Sequence, residues 1–543
     1  MDETTLDPEE GAVAAAPTGA RASGRTLAAA GLIVTVASLV SRILGYVRYV
    51  VIAKVVHDTA SLDAFFAAFR IPDFLFQLVA AGALAAALIP VLASLFASGE
   101  DARAWRVAST IATLLVGVLT ALVVVAGLLA PILVPMTTPG FADAQVAQTV
   151  QLTQIMLLSP LFLAAGAIAT TVLNAAGRFT EGAVAPLAYN SAIILGALLL
   201  VPQMGVAGLA VGVVLGSISN VLVQIPGLLK ARAQLRPMVD LKDSQTRRAI
   251  TLLGPRALGL GATQLIFLAV TYMASNLEPG SIAVFSFAFA VLQIPLGVIG
   301  VPLGTVLLPS LSREAALGAG DRFRHLVHRG LGILSFVMVA TAGLGIVLAH
   351  DVTRLLFGSS AISAHDIDRT AQTLAILLVG LTAHSMISVL ARAFYALQDT
   401  ATPVIGSLLA VVGSIGFGAV FVGPFGVVGL GLGIAIATWM EAVLLVYLLG
   451  RRVPGLGLSA IWVVIAKTVA ATAVGALAAW GVETALVAAW SIDPGFVGVL
   501  VRVSLATSVG TAVLVVAALA LRIDELRHIV GVMTDLARRR ARA

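Results

Sequence analysis

The sequence lacks cysteine altogether and is poor in charge, with charged side chains at only 11% of its 543 positions. Without cysteine, neither a disulfide framework nor a thiolate metal site can form, and we expect no metal. The scarcity of charge, with 59% hydrophobic residues and a mean hydropathy of +1.04, excludes an ordinary soluble domain. The basic residues are spread over short loops rather than gathered into a patch, so we also expect no nucleic-acid partner.

Enzyme signatures are missing as well. The motifs HExxH and GxxxxGKS/T do not occur, and no pair of carboxylates lies on a soluble domain. The longest loop between hydrophobic runs, residues 230–248, is too short to fold as a nucleotide-binding module. We therefore predict a protein that is not an enzyme, binds no cofactor, and takes its energy from ion gradients or the membrane potential.

Hydrophobic runs dominate what is present. A helix that crosses a bilayer needs about 20 apolar residues, and runs of that length recur along the chain. We predict an all-α polytopic membrane protein of about fourteen transmembrane helices. In chain order, helices 1 to 14 are predicted at 27–53, 74–97, 107–135, 152–173, 183–201, 204–229, 249–274, 282–311, 331–350, 371–396, 403–422, 426–449, 459–482 and 497–521.

Charge in the loops predicts the orientation of these helices. Lysine and arginine recur in the loops after even-numbered helices, including 230–248, whereas the alternate loops, including 351–370, carry few. By the positive-inside rule, both termini are cytoplasmic. We expect residues 1–26 to form a disordered cytosolic tail, and residues 522–543 a basic cytosolic tail that contacts anionic lipids.

The chain repeats itself at offsets of 217–221 residues. VLNAAGRFTEGAVAP (172–186) resembles VLARAFYALQDTATP (389–403), GVAGLAVGVVLG (205–216) resembles GVVGLGLGIAIA (426–437), and AALIPVLASL (86–95) resembles TVLLPSLSRE (305–314). These ordered matches predict two six-helix lobes, 27–229 and 249–449, joined by the linker 230–248 and followed by helices 13 and 14 at 459–521. Because each repeat holds an even number of spans, the pseudo-two-fold axis should run along the membrane normal, with the site between the lobes.

Basic residues interrupt helix 1 in SRILGYVRYVVIAK, at Arg42, Arg48 and Lys54. A cation at the bilayer centre costs about 2.5–3.5 kcal/mol, so such a residue marks a functional site unless its side chain snorkels to the headgroups. Lys54, at the helix end, fits snorkelling, whereas Arg42, deep in the helix, does not. Residues six apart are rotated by roughly 240° on a straight helix, so the three share a cavity only if the helix bends or the cavity wraps around it.

The repeat gives Arg42 a counterpart. PRALG (255–259) aligns with SRILG (41–45), which places Arg256 of helix 7 opposite Arg42. Two guanidinium groups that face each other across the lobe interface would suit a multi-oxygen anion, because each planar fork binds phosphate oxygens bidentately and stays charged. The alternative is that Arg256 snorkels at the cytoplasmic end of helix 7.

Other polar residues lie in or near the predicted spans. Glu441 of helix 12 aligns with Asn220 of helix 6, and we interpret it either as a coupling group or as a structural ion-pair partner. Asp63 and Arg70, in DAFFAAFRIPDF, either cap and orient helix 2 or line an outer gate. We interpret His384 of helix 10 as a packing residue rather than a metal ligand.

Several of these stretches resemble one family. SRILGYVR, DAFFAAFRIPDF, PLGVIGVPLGTVLLPSLSRE and LARAFYALQDTATPV are similar to motifs of the MurJ (MviN) family, the bacterial lipid II flippases of the multidrug/oligosaccharidyl-lipid/polysaccharide exporter superfamily. The resemblance, over about residues 27–521, implies a fourteen-helix, two-lobe fold with a central cationic cavity and a groove at helices 13 and 14 for a polyprenyl tail. It also implies that Arg42 and Arg48 contact the lipid pyrophosphate and that Asp63 lies beside them.

Departures from that family lower the charge expected in the cavity. Many members read LRRxFAEGAF in helix 2 where this chain reads LFQLVAAGAL, which leaves Phe76, Gln77 and Ala81 in place of two basic residues and an acid. The helix 8 arginine of such members falls on Ala290, and helices 7 and 11 carry no acid for a sodium site. Arg256 is the candidate to compensate for the missing arginines.

We therefore predict a flippase that moves lipid II from the inner to the outer leaflet of the bacterial plasma membrane by alternating access, for cell-wall synthesis. The expected partners are lipid II or a related polyprenyl-pyrophosphate glycolipid and membrane lipids, with cell-wall synthesis proteins as further candidates. The alternatives are a flippase for another polyprenyl-pyrophosphate oligosaccharide, a drug or cation antiporter of the same superfamily, a membrane scaffold and a polyprenyl-phosphate transferase. The predicted substrate-binding residues are Arg42, Arg48, Arg256, Asp63 and Arg70, and the predicted coupling or polar cavity residues are Glu441, Asn220 and Gln77.

Overall fold

The computed structural model describes residues 24–79, 83–358, 362–456, 458–489, 495–528, 531 and 534, without the side chains of 24–33, 35, 79, 83, 86, 252–262 and 458. Within these ranges the chain forms helices joined by short turns, and no strand is present. The prediction of an all-α membrane protein is confirmed.

The helices follow one another with few long connections. A π-helical turn, Leu296–Gly300, joins α11 to α12. In chain order the α-helices are α1 (Gly24–Val55), α2 (Thr59–Val79), α3 (Ala83–Ala97), α4 (Asp101–Thr137), α5 (Asp143–Met156), α6 (Ser159–Ala175), α7 (Thr180–Met204), α8 (Ala207–Leu222), α9 (Ile225–Lys230), α10 (Ser244–Ser275), α11 (Ser281–Pro295), α12 (Val301–Ala316), α13 (Gly320–Val347), α14 (Ala349–Phe357), α15 (Ala364–Val379), α16 (Leu381–Ala396), α17 (Ala401–Arg452), α18 (Leu458–Ala489) and α19 (Gly495–Ala520).

The count of fourteen transmembrane helices is not confirmed. By length and composition, ten helices of the described residues could cross a membrane, or eleven when α15 and α16, bent by 40° at Gly380, count as one. α17 consists of two helices, the predicted helices 11 and 12, which meet at Gly426, where the backbone is not helical. Predicted helix 4 is divided into α5 and α6, and predicted helix 8 is divided by the π-helical turn.

The start of predicted helix 2 was placed too late. It was expected at residue 74, but α2 already begins at Thr59. The segment between them carries Asp63, Arg70 and Asp73, which lower its hydropathy. In the structure these side chains point into the protein rather than towards lipid, so hydropathy gave the wrong boundary.

Two glycine turns show the same construction in both halves of the chain. Gly205, between α7 and α8, has φ 58° and ψ −148°, and Gly426, within α17, has φ 57° and ψ −137°. Only glycine adopts this region readily. Past each turn, a glycine packs directly on backbone: Gly208 on Leu200, and Gly429 on Phe421. These equivalent contacts, at the offset of 221 residues seen in the sequence, support the predicted repeat.

Contacts between repeat-related residues locate the junction of the two halves. The side chain of Arg70 bonds to Ser286, 216 residues further on, and Asp63 bonds to Gly280, 217 residues further on. Equivalent residues of a two-fold repeat can touch each other only close to the axis. These contacts join α2 to α11, and the predicted pseudo-two-fold axis would pass near this helix pair.

The last two long helices form a pair beside the second half. α18 and α19 pack against each other, and α18 packs against α13. A buried ion pair between Arg502 of α19 and Asp351 of α14 attaches these two helices to the second half. Only 5% of Arg502 and 1% of Asp351 are exposed. The division into two lobes and an appended helix pair stays a prediction.

Candidate functional site

A cavity of about 350 Å³ lies where α1 and α2 face α10 and α11. Its wall is mainly phenylalanine and aliphatic side chains, such as Phe69, Phe267 and Phe289. The polar side chains that line it are Tyr46, Arg48, Tyr49, Arg70, Asp73, Gln77, Gln264, Ser286 and Gln293. Two guanidinium groups and one carboxylate thus meet in a largely apolar space between the halves of the chain.

Arg70 of α2 points into this cavity. Its Nη2 atom donates a hydrogen bond to Oγ of Ser286 at 3.2 Å, and its guanidinium carbon lies 5.2 Å from the ring centre of Phe267. Its Nε atom is buried and has no hydrogen-bond partner among the described residues. Arg70 therefore keeps unused donor capacity, which is costly unless a ligand takes it up.

Arg48 of α1 lines the same cavity. Its guanidinium carbon lies 5.2 Å from the ring centre of Tyr49 and 6.0 Å from that of Tyr189. A cation is attracted to the face of an aromatic ring without losing its charge. In the described part of the chain neither Arg48 nor Arg70 forms an ion pair, so both keep their positive charge available for an anion.

Arg42 lies at a different place from Arg48. It is half-buried, and a methyl group added at Gly297 would lie only 2.1 Å from its Nη1 atom and 3.6 Å from the hydroxyl of Tyr46. Because Tyr46 lines the cavity, Arg42 lies near the rim of the cavity, against the π-helical turn. Lys54 is exposed, as expected of a snorkelling residue. The three basic residues of helix 1 therefore do not share one cavity.

Asp63 holds the two halves together instead of lining the cavity. It is only 2% exposed, and it accepts hydrogen bonds from the backbone N–H groups of Gly280, at 2.6 Å, and Ala283, at 2.8 Å. These groups belong to the first turn of α11, whose positive end favours a carboxylate. Asp63 thus caps a helix of the other half, and both of its oxygens are used in this conformation.

Further polar contacts surround that cap. Arg369 of α15 lies 3.0 Å from Asp366 and also hydrogen-bonds to Ser281. The His365 ring, 3.2 Å from the Glu278 carboxylate, and then Arg369 lower the pKa of that carboxyl. Between the cap and the cavity, the rings of Tyr49, Phe66 and Phe287 pack together with centroid distances of 5.5 to 6.4 Å. This side of the cavity is therefore closed.

Asp73 was missed in the sequence. It lies three residues after Arg70 and four before Gln77, a spacing that places all three on one face of a helix, and all three line the cavity. Its Oδ2 atom accepts a hydrogen bond from Nε2 of Gln264 in α10, at 2.7 Å. The helical spacing was the signal that could have identified it.

The other predicted residues have varied surroundings. Arg256 belongs to α10, but its side chain lies outside the described part of the structure. Glu441 is buried at 9% exposure, and among the described residues no basic side chain forms an ion pair with it. Asn220 packs against Gly166 and Gln224, away from the cavity. His384 lies 3.4 Å from the Thr438 hydroxyl, as a packing residue would.

The fold defines a class of protein, the polytopic helical membrane proteins, here with a cavity where α1 and α2 face α10 and α11. A solved inward-facing multidrug resistance MATE family transporter of the MOP superfamily is 16% identical, with a TM-score of 0.66 over 77% of this chain and 95% of that one. A lipid II flippase MurJ in an inward closed conformation is 21% identical, with a TM-score of 0.76 over 90% of this chain and 99% of that one. At these identities the likeness establishes the fold.

Sequence comparison identifies the family. The family described as lipid II flippase MurJ matches residues 52–516. A probable lipid II flippase MurJ of Vibrio cholerae is 34% identical, covering 82% of this chain and 86% of its own. The lipid II flippase MurJ of Burkholderia cenocepacia is 32% identical, covering 76% and 82%. This chain belongs to the MurJ family, and the resemblance inferred from its motifs is confirmed.

Proposed function

We propose that this protein is a flippase that carries lipid II across the bacterial inner membrane, from the inner to the outer leaflet. Its family and its helices make it a multi-pass membrane transporter. The observation that supports the substrate is the pair of guanidinium groups, Arg48 and Arg70, in one cavity between the halves of the chain. The pyrophosphate of lipid II is an anion that such a pair fits.

The guanidinium groups replace water around the pyrophosphate while the headgroup crosses. Each planar fork binds two phosphate oxygens side by side. The rings of Tyr49 and Tyr189 hold Arg48, and the Ser286 hydroxyl holds Arg70, so neither group needs to be ordered when the ligand arrives. In this low-dielectric space a charge-assisted hydrogen bond is stronger than in water.

Arg42 and Arg256 belong to the approach of the same anion. Arg42 lies near the rim of the cavity, beside Gly297. Arg256 lies on α10, the helix that supplies Gln264 to the cavity wall. An anion that enters from this side would meet Arg42 before it reaches Arg48. Glu441 would act as a coupling group rather than as an ion-pair partner, since its carboxylate is buried without a basic neighbour among the described residues.

Asp63 controls the opposite side of the cavity. With helix 1 running outwards from a cytoplasmic N-terminus, the cap of α11 by Asp63 closes the outer side. To release the lipid into the outer leaflet, α2 and α11 must separate there and both hydrogen bonds must break. Alternating access would then consist of closing the inner side as this cap opens.

The test is lipid II translocation by the purified protein in liposomes, measured as accessibility of the headgroup to an external reagent. Arg48→Ala and Arg70→Ala should each weaken substrate binding by about 1.5–3 kcal/mol, and Arg48→Lys should be intermediate because a lysine lacks the bidentate fork. Lys54→Ala, which removes an exposed charge from the same helix, is the matched control and should retain transport.

Two results would contradict the proposal. Wild-type translocation by a well-folded Arg48→Ala/Arg70→Ala double variant would show that the guanidinium pair carries no substrate. Proton-driven uptake of a fluorescent organic cation, without lipid II translocation, would favour the alternative of a cation antiporter. The fold likeness to a MATE transporter and the carboxylate of Asp73 in the cavity support that alternative. Comparing lipid II with other polyprenyl-pyrophosphate oligosaccharides in the same assay identifies the headgroup.

A further inference from the structure

We infer that Asp73 is a built-in counter-anion of the cavity, which competes with the substrate for Arg48 and Arg70 and so limits how tightly the substrate binds. The inference rests on the proposed function, because it takes the diphosphate group of a polyprenyl lipid as the ligand.

The position of Asp73 gives it access to both guanidinium groups. It follows Arg70 by one helical turn on the same face of α2, and its side chain lines the cavity together with that of Arg48 from α1. Among the described residues that line the cavity, it is the only carboxylate. It therefore lowers the net charge of this lining from two positive charges to one.

A contact from the other half holds the carboxylate away from a direct ion pair with either arginine. The Gln264 amide of α10 donates to Oδ2 of Asp73 at 2.7 Å, while Arg70 is turned towards Ser286 and Phe267 of α11 and α10. In the described part of the chain, Asp73 forms an ion pair with neither Arg70 nor Arg48. The negative charge is thus close to the guanidinium groups but leaves their donors free for a ligand.

The consequence concerns the release of the substrate. A diphosphate bound to Arg48 and Arg70 lies beside a fixed carboxylate of the same sign, and the repulsion acts in a space with little solvent to screen it. Binding remains favourable because two cations face the ligand, but the complex is less stable than it would be without Asp73. A transporter needs this limit, because a ligand that binds too tightly dissociates too slowly.

The substitution Asp73→Asn separates charge from hydrogen bonding. The asparagine carbonyl can still accept from Gln264, and the side chain is nearly isosteric, so the negative charge is lost while this hydrogen bond is kept. The measurement is the affinity of the full-length protein, in lipid nanodiscs, for a polyprenyl diphosphate, with the uncharged polyprenol as the reference ligand. We expect Asp73→Asn to bind the diphosphate about tenfold more tightly, to bind the polyprenol unchanged, and to translocate lipid II more slowly.

Gln264→Leu should have the opposite effect. Without its amide donor the Asp73 carboxylate is free to pair with Arg70, and we expect diphosphate affinity to fall about tenfold. The double variant Asp73→Asn/Gln264→Leu should bind as tightly as Asp73→Asn, because no carboxylate is left to pair. Gln264→Leu on its own also decides the matter if Asp73→Asn folds poorly.

Two outcomes overturn the inference in different ways. If the wild-type protein binds the diphosphate and Asp73→Asn binds it with the same or lower affinity, Asp73 is only a hydrogen-bond acceptor between α2 and α10, while the proposed function stands. If the wild-type protein does not distinguish the diphosphate from the polyprenol, the proposed function is wrong and the inference fails with it.

Discussion

At the scale of single residues, the surroundings of each arginine separate structural from ligand-binding roles. Arg502 forms a buried ion pair with Asp351, so its charge is already compensated inside the protein. Arg48 is held by two tyrosine rings, and Arg70 by a hydroxyl group and a phenylalanine ring. None of these neighbours neutralises a charge. The first kind of arginine holds helices together, and the second kind can bind an anion.

The role of Arg42 can be tested through its neighbour Gly297. A methyl group there would lie 2.1 Å from Nη1 of Arg42, at the mobile end of a long side chain. We expect Gly297→Ala to displace the guanidinium group without unfolding the protein, and to lower lipid II translocation about tenfold if Arg42 guides the substrate. Translocation in liposomes measures the expected loss of transport, and the melting temperature of the purified protein shows whether the variant stays folded.

Gly117→Ala is the control for that experiment, since it makes the same change within α4, where nothing lies within 4 Å of the added methyl group. It should leave transport unchanged. If Gly297→Ala transports as fast as the wild type, the position of the Arg42 guanidinium is unimportant, and its assignment to the rim of the substrate site would have to be abandoned.

The site could be predicted from the sequence only in part. Hydropathy showed that Arg42 and Arg48 lie in a membrane helix, but it reports depth along the helix and not the direction of the side chain. Arg48 lines the cavity whereas Arg42 lies at its rim. The helical spacing of Arg70, Asp73 and Gln77 could have placed Asp73 in the cavity. Its hydrogen bond to Gln264, 191 positions away, could not be predicted, because only the fold brings the two residues together.

At the scale of helices, glycine and proline lie at several of the places where one helix ends and the next begins. Pro160 and Pro302 lie in the first turn of α6 and α12, where the missing N–H group is harmless. Gly205 ends α7 and Gly426 interrupts α17, each with backbone angles that other residues avoid. The repeat in the sequence predicted that these two glycines are equivalent, whereas the division of single spans into two helices needed the structure.

Because the two glycine turns are equivalent, a side chain added at either glycine should destabilise the protein by a similar amount. Gly205→Ala and Gly426→Ala would each place a Cβ atom on a residue with φ near 58°, and we expect each to lower the free energy of unfolding by about 1–3 kcal/mol. Melting temperatures of the purified variants in detergent measure the effect. Gly416→Ala, in a helical part of α17 with open space around it, should cause no loss. A melting temperature unchanged in one turn variant alone would show that the turns are not equivalent.

At the scale of the whole molecule, three layers lie along the junction of the two halves. The Asp63 cap of α11 comes first, followed by the packed rings of Tyr49, Phe66 and Phe287, and then the cavity with its two guanidinium groups. The first two layers hold one side closed through contacts between α2 and α11. Since these helices also carry Arg70 and Ser286, a movement at the cap would displace residues of the proposed substrate site as well.

The cap should therefore control access from outside. Asp63→Ala removes both acceptors from the first turn of α11, which costs about 0.5–2 kcal/mol for a helix cap, and one to two kcal/mol shifts an equilibrium by about 5–30-fold. The native chain has no cysteine, so Ala290→Cys, in the cavity wall, reports access without background. We expect a membrane-impermeant maleimide added to intact cells to label Ala290→Cys faster when Asp63→Ala is also present.

Asp143→Ala, which removes an exposed carboxylate from the first turn of α5, should leave the labelling rate unchanged. Equal labelling with and without Asp63 would mean that the aromatic layer alone keeps this side closed.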